Sequence, residues 1–281
     1  MNLTALLLVL AAATSHAAWN LLAKRAEGGP VFVWLCAGVS AALWAPVAIV
    51  ALAVSPPAVG VAAIAWLSVS AVLHTTYYTA LQAGYERGDL SVVYPVARGA
   101  GAMLAIVGAV LFLGERPTGV GVAGALLIGS GILALSGSAL TRGHELWPAL
   151  ATGALISIYT VWDAYLVTEL AIPALALVWA ADLGRLIVLA PVARNRSPEV
   201  ARIWGGFRRE VIGVALLSPV AYILVLLALR FAPVTFVAPA REVSIVIGVL
   251  FGWRLLGEAD AARRLIATVL VIAGMVLATI G

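Results

Sequence analysis

Ten long apolar runs are the feature of this sequence that most limits what the chain can fold into. Each is close to the roughly 20 residues that a helix needs to cross a bilayer. Backbone groups in a bilayer must bond to one another, and within a single run only a helix achieves this. The sequence therefore predicts an all-α integral membrane protein with ten transmembrane helices, at residues 3–23, 31–54, 61–83, 90–113, 118–139, 147–169, 172–193, 211–230, 233–253 and 262–280.

The composition of the 281-residue chain agrees, because 63% of the residues are hydrophobic and only 11% are charged. The longest polar connection, residues 194–210, is too small for a domain. A soluble catalytic or nucleic-acid-binding module is thereby excluded. The net charge of +4 is interpreted as membrane topology. The expected partners are therefore the lipid bilayer and a small-molecule substrate, with no nucleic acid, cofactor or metal.

The chain also repeats itself at a fixed offset. Arg98 and Arg241 are 143 residues apart, and so are Glu115 and Glu258. An arginine near the start and a Gly-Glu at the end thus mark two equivalent apolar segments, which indicates an internal repeat.

The same offset relates residues that were not used to find it. It carries His16 onto Tyr159, and Trp19-Asn20 onto Trp162-Asp163. We therefore predict two repeats of five helices each, at residues 1–140 and 141–281. Because five is an odd number, the second repeat enters the membrane the other way up. Inverted repeats of this kind are a common plan of secondary transporters.

Basic residues indicate the orientation of the chain. The odd-numbered connections between the runs carry twelve Lys and Arg residues, whereas the even-numbered ones carry only Arg116 and Arg230. Connections rich in Lys and Arg usually face the cytoplasm. Both termini are therefore expected outside.

Polar side chains share one face of the first predicted helix. His16, Trp19 and Asn20 are spaced i, i+3 and i+4. Polar groups at bilayer depth usually face a bundle interior or a cavity. All three are therefore candidate substrate-binding residues. The alternative is structural, with Asn20 bonding two helices together and His16 serving as a buried donor.

The third predicted helix repeats this spacing with His74, Tyr77 and Tyr78. Hydrogen-bonding aromatic residues on one face suit a pocket for a flat or amphipathic organic solute. The alternative is a belt of tyrosines at the membrane interface, and this alternative is preferred for Tyr85.

Arginines inside the fourth and ninth predicted helices each need a partner. Tyr94 and Arg98 share one face, and both are candidate substrate-binding residues, as is Arg241. Arg98 could pair with a substrate carboxylate or an internal acid, or it could snorkel to a boundary about 12 Å away. Arg241 and Glu242 point about 100° apart on a helix, so one of them is expected to have a further partner.

The second repeat offers further candidates. Tyr159, Trp162 and Tyr222 are candidate substrate-binding residues. Asp163 and Glu242 are candidate proton-coupling residues, because a carboxyl group in a low-dielectric interior is more readily protonated.

Asp163 could alternatively form a fixed salt bridge with Arg98, Arg185 or Arg241. Asp182 and Arg185 are spaced i, i+3 and are expected to satisfy each other. Three buried basic residues would then face three acidic ones. Such a neutral interior would suit a neutral or zwitterionic solute.

Several short motifs resemble those of a transporter family. They are His16-Ala17-Ala18-Trp19-Asn20, Gly88-Asp89-Leu90-Ser91 before Tyr94-Pro95, Ala232-Pro233-Val234-Thr235, and a Gly-Glu at 114–115 and 257–258. With ten helices in two inverted repeats, the whole chain resembles the drug/metabolite transporter superfamily, EamA type. The resemblance implies a carrier of small organic metabolites, often amino acids, that works by alternating access around a central cavity.

The sequence thus predicts a secondary active permease or exporter, with Asp163 or Glu242 as the candidate proton carrier. The alternative is a flippase for a lipid-linked or amphipathic solute. An enzyme is not expected, because His16, His74 and His144 are isolated and no metal-ligand spacing, Ser-His pairing or phosphate-binding loop is present. We expect a multi-pass protein of the bacterial inner membrane. One chain could hold a complete pathway, which favours a monomer and leaves a dimer open.

Overall fold

The chain is helical over nearly all of the residues that its structure describes. The computed structural model describes residues 3–26, 28–57, 60–112, 116, 118–136, 143–257, 266–267, 269–270, 273–274 and 276–277. No strand occurs in these ranges. The helices are α1 Leu3–Ala26, α2 Gly29–Val54, α3 Ala63–Tyr85 (preceded by a 3₁₀ turn, Gly60–Ala62), α4 Leu90–Phe112, α5 Gly119–Ser136, α6 Gly143–Thr168, α7 Ala174–Asn195, α8 Ser197–Ala228, α9 Val234–Ala240 and α10 Val243–Leu256.

The outside of the helix bundle is apolar and its inside carries charge, the reverse of a water-soluble protein. Val50, Val54 and Ile187 are 60%, 77% and 70% exposed, whereas Arg98 and Asp163 are 2% and 0% exposed. Within the described ranges, six helical segments are also long and apolar enough to span a membrane. Both features indicate a membrane protein.

The first seven predicted helices each correspond to one observed helix, but the eighth is longer than predicted. α8 begins at Ser197, so most of the connection predicted at residues 194–210 is helical. Its backbone is kinked at Phe207, where φ is −128° and ψ is 25°. Before the kink, Ile203 is fully buried while Arg202 and Trp204 are exposed. This part of α8 is therefore amphipathic.

The prediction of one continuous ninth helix is wrong. α9 ends at Ala240 and α10 begins at Val243, so Arg241 and Glu242 lie in a break. The backbone N–H of Ser244 bonds to the carbonyl of Arg241, and that of Ile245 to the carbonyl of Glu242. These i to i+3 bonds are tighter than those of an α-helix. The break lies seven residues into the segment, about 10 Å from its start.

Three predictions fall wholly or partly on residues outside the described ranges. The tenth predicted helix, 262–280, is described only in part, and its described residues are helical. There, a Cβ added at Gly274 would lie 2.7 Å from the carbonyl oxygen of Gly124 in α5. Glu115, Glu258 and the predicted boundary between residues 140 and 141 lie outside the described ranges.

Helices of the first half pack mainly on helices of the second half. α1 packs along α8, α2 along α7, α3 along α6 and α7, and α4 along α6, while α10 contacts both α1 and α4. Glycine allows the closest of these approaches. A Cβ at Gly153 in α6 would lie 2.9 Å from the carbonyl oxygen of Ala97 and 3.1 Å from the nitrogen of Gly101, both in α4. Polar side chains are buried where these helices meet.

Candidate functional site

A cavity inside the bundle is lined by side chains from both halves of the chain. It consists of two adjoining pockets that share Trp19, Tyr78, Arg185, Ser218 and Pro219. The first pocket extends toward α2 and is otherwise mainly apolar. The second is rich in aromatic residues, and besides the shared set it includes His16, His74, Tyr77, Tyr159, Val178, Ala181 and Tyr222.

Aromatic rings form a continuous wall of the second pocket. The Tyr159 ring lies 4.4 Å from His74, 5.2 Å from Tyr77 and 5.6 Å from Tyr222, measured between ring centroids. His16 lines the same pocket, so the two histidines border one cavity although they lie on different helices. The helix spacing that selected these residues describes one helix at a time and could not show that α3, α6 and α8 bring their rings together.

Asp163 is fully buried behind this wall and is held by three side chains. Its Oδ1 accepts a hydrogen bond from Ser70 at 2.7 Å, and its Oδ2 accepts one from the Tyr222 hydroxyl at 2.6 Å. Nε2 of His74 lies 2.8 Å from the same Oδ2. Asp163 pairs with none of the buried arginines in the described part of the chain, so the predicted alternative of a fixed salt bridge to one of them is wrong.

Two arginines, one from each half, meet at a single glutamate. Nη2 of Arg98 lies 3.0 Å from Oε1 of Glu242, and Nε of Arg241 lies 3.5 Å from the same oxygen. Arg241 also donates to Oγ1 of Thr160 at 3.1 Å. Arg98 is buried and does not snorkel to the boundary, while Glu242 has the further partner that was expected. This cluster has two positive charges and one negative charge.

His16 is linked to its neighbours on α1. The indole N–H of Trp19 donates to Nδ1 of His16 at 3.0 Å, and the side-chain amide of Asn20 donates to the His16 carbonyl at 2.7 Å. Tyr85, which is fully buried, donates to the side-chain oxygen of Asn20. The predicted interfacial position of Tyr85 is therefore wrong, and Asn20 has the structural role that was its alternative.

Arg185 was not predicted as a site residue, yet it lines both pockets. It pairs with Asp182 as expected, and Asp182 also accepts a hydrogen bond from Ser40. The Arg185 guanidinium carbon lies 4.1 Å from the centroid of the Tyr78 ring, a cation–π contact. Tyr78 in turn bonds to Ser218. The signal that could have found Arg185 is its place among the few basic residues inside apolar segments.

Five predicted substrate-binding residues do not line the cavity: Asn20, Tyr94, Arg98, Trp162 and Arg241. The indole N–H of Trp162 donates to the carbonyl of Trp66 at 3.3 Å, and the two indole rings are 5.1 Å apart. Tyr94 is buried where α4 meets α10, and a Cβ at Gly248 would lie 2.7 Å from its ring. Among the described residues no three His, Cys, Asp or Glu side chains are grouped closely enough to hold a metal ion.

The central cavity is too small for a metabolite as it stands. Each pocket has a volume of about 20 Å³, which is room for one water molecule. A larger cavity of about 640 Å³, here called the vestibule, lies at one end of the bundle between the ends of α2, α6 and α8 and the start of α7. Leu227 lines the vestibule, five residues along α8 from Tyr222 in the cavity and thus about 7 Å away.

Comparison with known proteins identifies the fold alone. No model of a protein family matches the chain, and no curated protein matches it. One solved structure, described as the crystal structure of a protein, is similar to this chain with a TM-score of 0.72 and 18% sequence identity. The alignment covers 98% of this chain and 96% of the crystallised chain. The chain therefore has a fold that a crystallised protein shares over nearly its whole length.

Proposed function

We propose that the protein is a secondary active transporter of small organic metabolites, of the EamA type of the drug/metabolite transporter superfamily. The observation that carries the proposal is the buried cavity. Its polar and aromatic lining comes from α1 and α3 in the first half and from α6, α7 and α8 in the second. Polar and charged groups at bilayer depth are costly and commonly mark the path of a solute.

The packing supports ten helices in two inverted repeats, at residues 1–140 and 141–281. At the 143-residue offset α1 corresponds to α6, α3 to α8, and α4 to α9 and α10. The contacts follow the same exchange, because the α1–α8 contact is matched by α6–α3, and the α4–α6 contact by α10–α1. A two-fold axis in the membrane plane would produce this exchange of partners.

The two cavities fit transport by alternating access. The closed centre admits a metabolite only if the helices around it separate, which would join it to the vestibule. Arg230 lines the vestibule, at the end of the bundle with few basic residues. The positive-inside rule assigns that end to the outer face of the bacterial inner membrane.

Asp163 is the proposed proton carrier. It joins the two halves through its contacts with Ser70 and His74 on α3. Protonating the carboxylate would weaken these charge-assisted bonds, and the halves could then move apart. Glu242, the other candidate, is held by two arginines and is better suited to a fixed structural charge.

The proposal is tested by reconstituting the protein in liposomes with a panel of amino acids, amines, organic acids, nucleosides and vitamins. Solutes that raise the melting temperature of the purified protein are assayed first, because a ligand of the folded state stabilises it. We expect a proton gradient to drive accumulation of at least one of these solutes. An Asp163→Asn variant should bind that solute but lose the effect of the gradient.

The matched control is Glu199→Gln, which removes an acid from the surface part of α8 and should transport like the wild type. If no solute moves under any ion gradient, the transporter proposal is wrong. If only lipid-linked compounds stabilise the protein, the flippase alternative replaces it.

A further inference from the structure

His16, which lines the central cavity, carries a hydrogen-bond donor that has no partner in the described part of the chain. The indole N–H of Trp19 donates to Nδ1 of His16, and an indole nitrogen can only donate. Nδ1 must therefore be the unprotonated nitrogen, and the proton of the neutral ring is on Nε2. Nε2 is buried without a hydrogen-bond acceptor, and the residue is only 4% exposed.

An unpaired buried donor destabilises a fold, and proteins rarely keep one without a use. Here the donor belongs to a residue of the cavity wall, beside the Trp19 ring that fixes its tautomer. A ligand that enters the cavity can supply the missing acceptor.

The two carboxylates beside the cavity are occupied, whereas Nε2 of His16 is without a partner among the described residues. Both carboxylate oxygens of Asp163 accept from side chains of α3 and α8. Asp182 is occupied by Ser40 and Arg185. Arg185, which has donors only, lines both pockets.

The buried cluster of two arginines and one glutamate also favours an anionic ligand. Arg98 and Arg241 are buried in the same interior as His16, and they share the single carboxylate of Glu242. These three residues together carry one excess positive charge, which attracts an anion. The carboxylate of Asp163, behind the ring wall of the same pocket, offsets that charge in the interior as a whole.

We infer that the cavity binds the oxyanion head group of an organic acid or zwitterion, such as a carboxylate or phosphonate, and that Nε2–H of His16 donates to it. The inference rests on the proposed function and names the substrate class of the same site. Arg185 supplies the neighbouring positive charge, and the rings of Tyr77 and Tyr159 contact the apolar body of the substrate.

The aromatic rings of the cavity could instead bind a cationic ligand, because the faces of tyrosine and tryptophan rings attract ammonium groups. That reading is disfavoured because one cation already occupies the Tyr78 face and because the nearby carboxylates are taken. The experiment separates the two.

Binding is measured by calorimetry on the purified full-length protein with phenylacetate, 3-phenylpropionate, indole-3-acetate and phenylphosphonate. Each carboxylic acid is compared with its primary amide and with the amine of the same carbon skeleton. We expect at least one acid to bind the wild type ten-fold or more tightly than its amide and amine. Equal or tighter binding of the amines, or no binding of any acid, would overturn the inference.

Two variants assign the donor. His16→Leu should weaken acid binding at least ten-fold, whereas His16→Gln should stay within about three-fold of the wild type, because its amide N–H can reach the position of Nε2. The melting temperature of unliganded His16→Leu should stay near that of the wild type, since the change removes one unpaired donor and leaves the Trp19 N–H as another. Wild-type acid binding by His16→Leu would contradict the assignment.

Vesicle transport separates this inference from the transporter proposal. If liposomes accumulate an amine or neutral solute, and His16→Leu does so at the wild-type rate, the transporter proposal stands and the oxyanion site is wrong. If the acids bind as expected but no solute crosses the membrane, the oxyanion site stands and the transporter proposal is wrong.

Discussion

Glu242 is the acid between two buried arginines, and its replacement should lower the stability of the whole protein. A Glu242→Gln variant leaves Arg98 and Arg241 facing each other without a carboxylate. Removing one partner of a buried ion pair costs about 3–5 kcal/mol. We expect a clear fall in the melting temperature of the purified protein, measured by intrinsic fluorescence.

A double variant, Arg98→Met with Glu242→Gln, tests whether charge is the cause. It returns the cluster to one excess positive charge, as in the wild type, and should recover at least half of the lost stability. A single variant that melts like the wild type would mean that the two arginines do not depend on Glu242.

At the scale of residues, the sequence identified which polar side chains are unusual for a membrane helix, but it did not identify the residues that they contact. His16, His74, Tyr77 and Tyr159 were predicted from helix spacing, and all four line one pocket. The partners came from other helices, so spacing within one helix could not reveal them. For the same reason the i, i+3 contact of Arg185 with Asp182 concealed that Arg185 also faces the cavity.

The contact between α4 and α6 depends on glycine. A methyl group at residue 153 would approach the α4 backbone, which cannot move aside as a flexible side chain could. Gly153→Ala should therefore force the helices apart and destabilise the protein by about 1–3 kcal/mol. The measurement is the melting temperature of the purified variant.

Gly205→Ala is the matched control for this contact. Nothing lies within 4 Å of a Cβ at residue 205, which is in a helix. Alanine is the better helix former, so this variant should gain up to about 1 kcal/mol. If both variants gain stability, α4 and α6 are not as close as described.

At the scale of elements, apolar run length predicted most helices and failed where another property decided the backbone. Residues 197–206 are helical although they are too polar to be an apolar run, because Ile203 anchors one face. The break at Arg241 and Glu242 lies inside an unbroken predicted helix. Hydropathy measures whether a segment prefers lipid, and it does not register a change from α-helical to tighter bonding.

At the scale of the whole molecule, the distribution of basic residues predicts which end faces the cytoplasm. In a Cys36→Ala background, Arg230→Cys should react with a membrane-impermeant maleimide on intact cells. Arg202→Cys should react only after the cells are permeabilised. Cys36 is buried in α2, so its removal leaves the surface unchanged.

The opposite labelling pattern would mean that the vestibule opens toward the cytoplasm and that both termini lie on the cytoplasmic side too. The 143-residue offset and the helical class were readable from the sequence, because they follow from apolar length and repetition. The relative placement of the two halves was not, because it depends on contacts between residues far apart in the chain.

The shared glutamate also bears on whether the two halves are interchangeable. The residue 143 positions before Glu242 is Gly99, so only the second half supplies an acid beside its arginine. In the proposed two-fold arrangement, a pair of first halves would bring together two arginines and no acid, and a pair of second halves would have two of each. Only the unlike pair keeps a single surplus positive charge in this cluster. In the proposed arrangement, the two halves are therefore not interchangeable at this cluster.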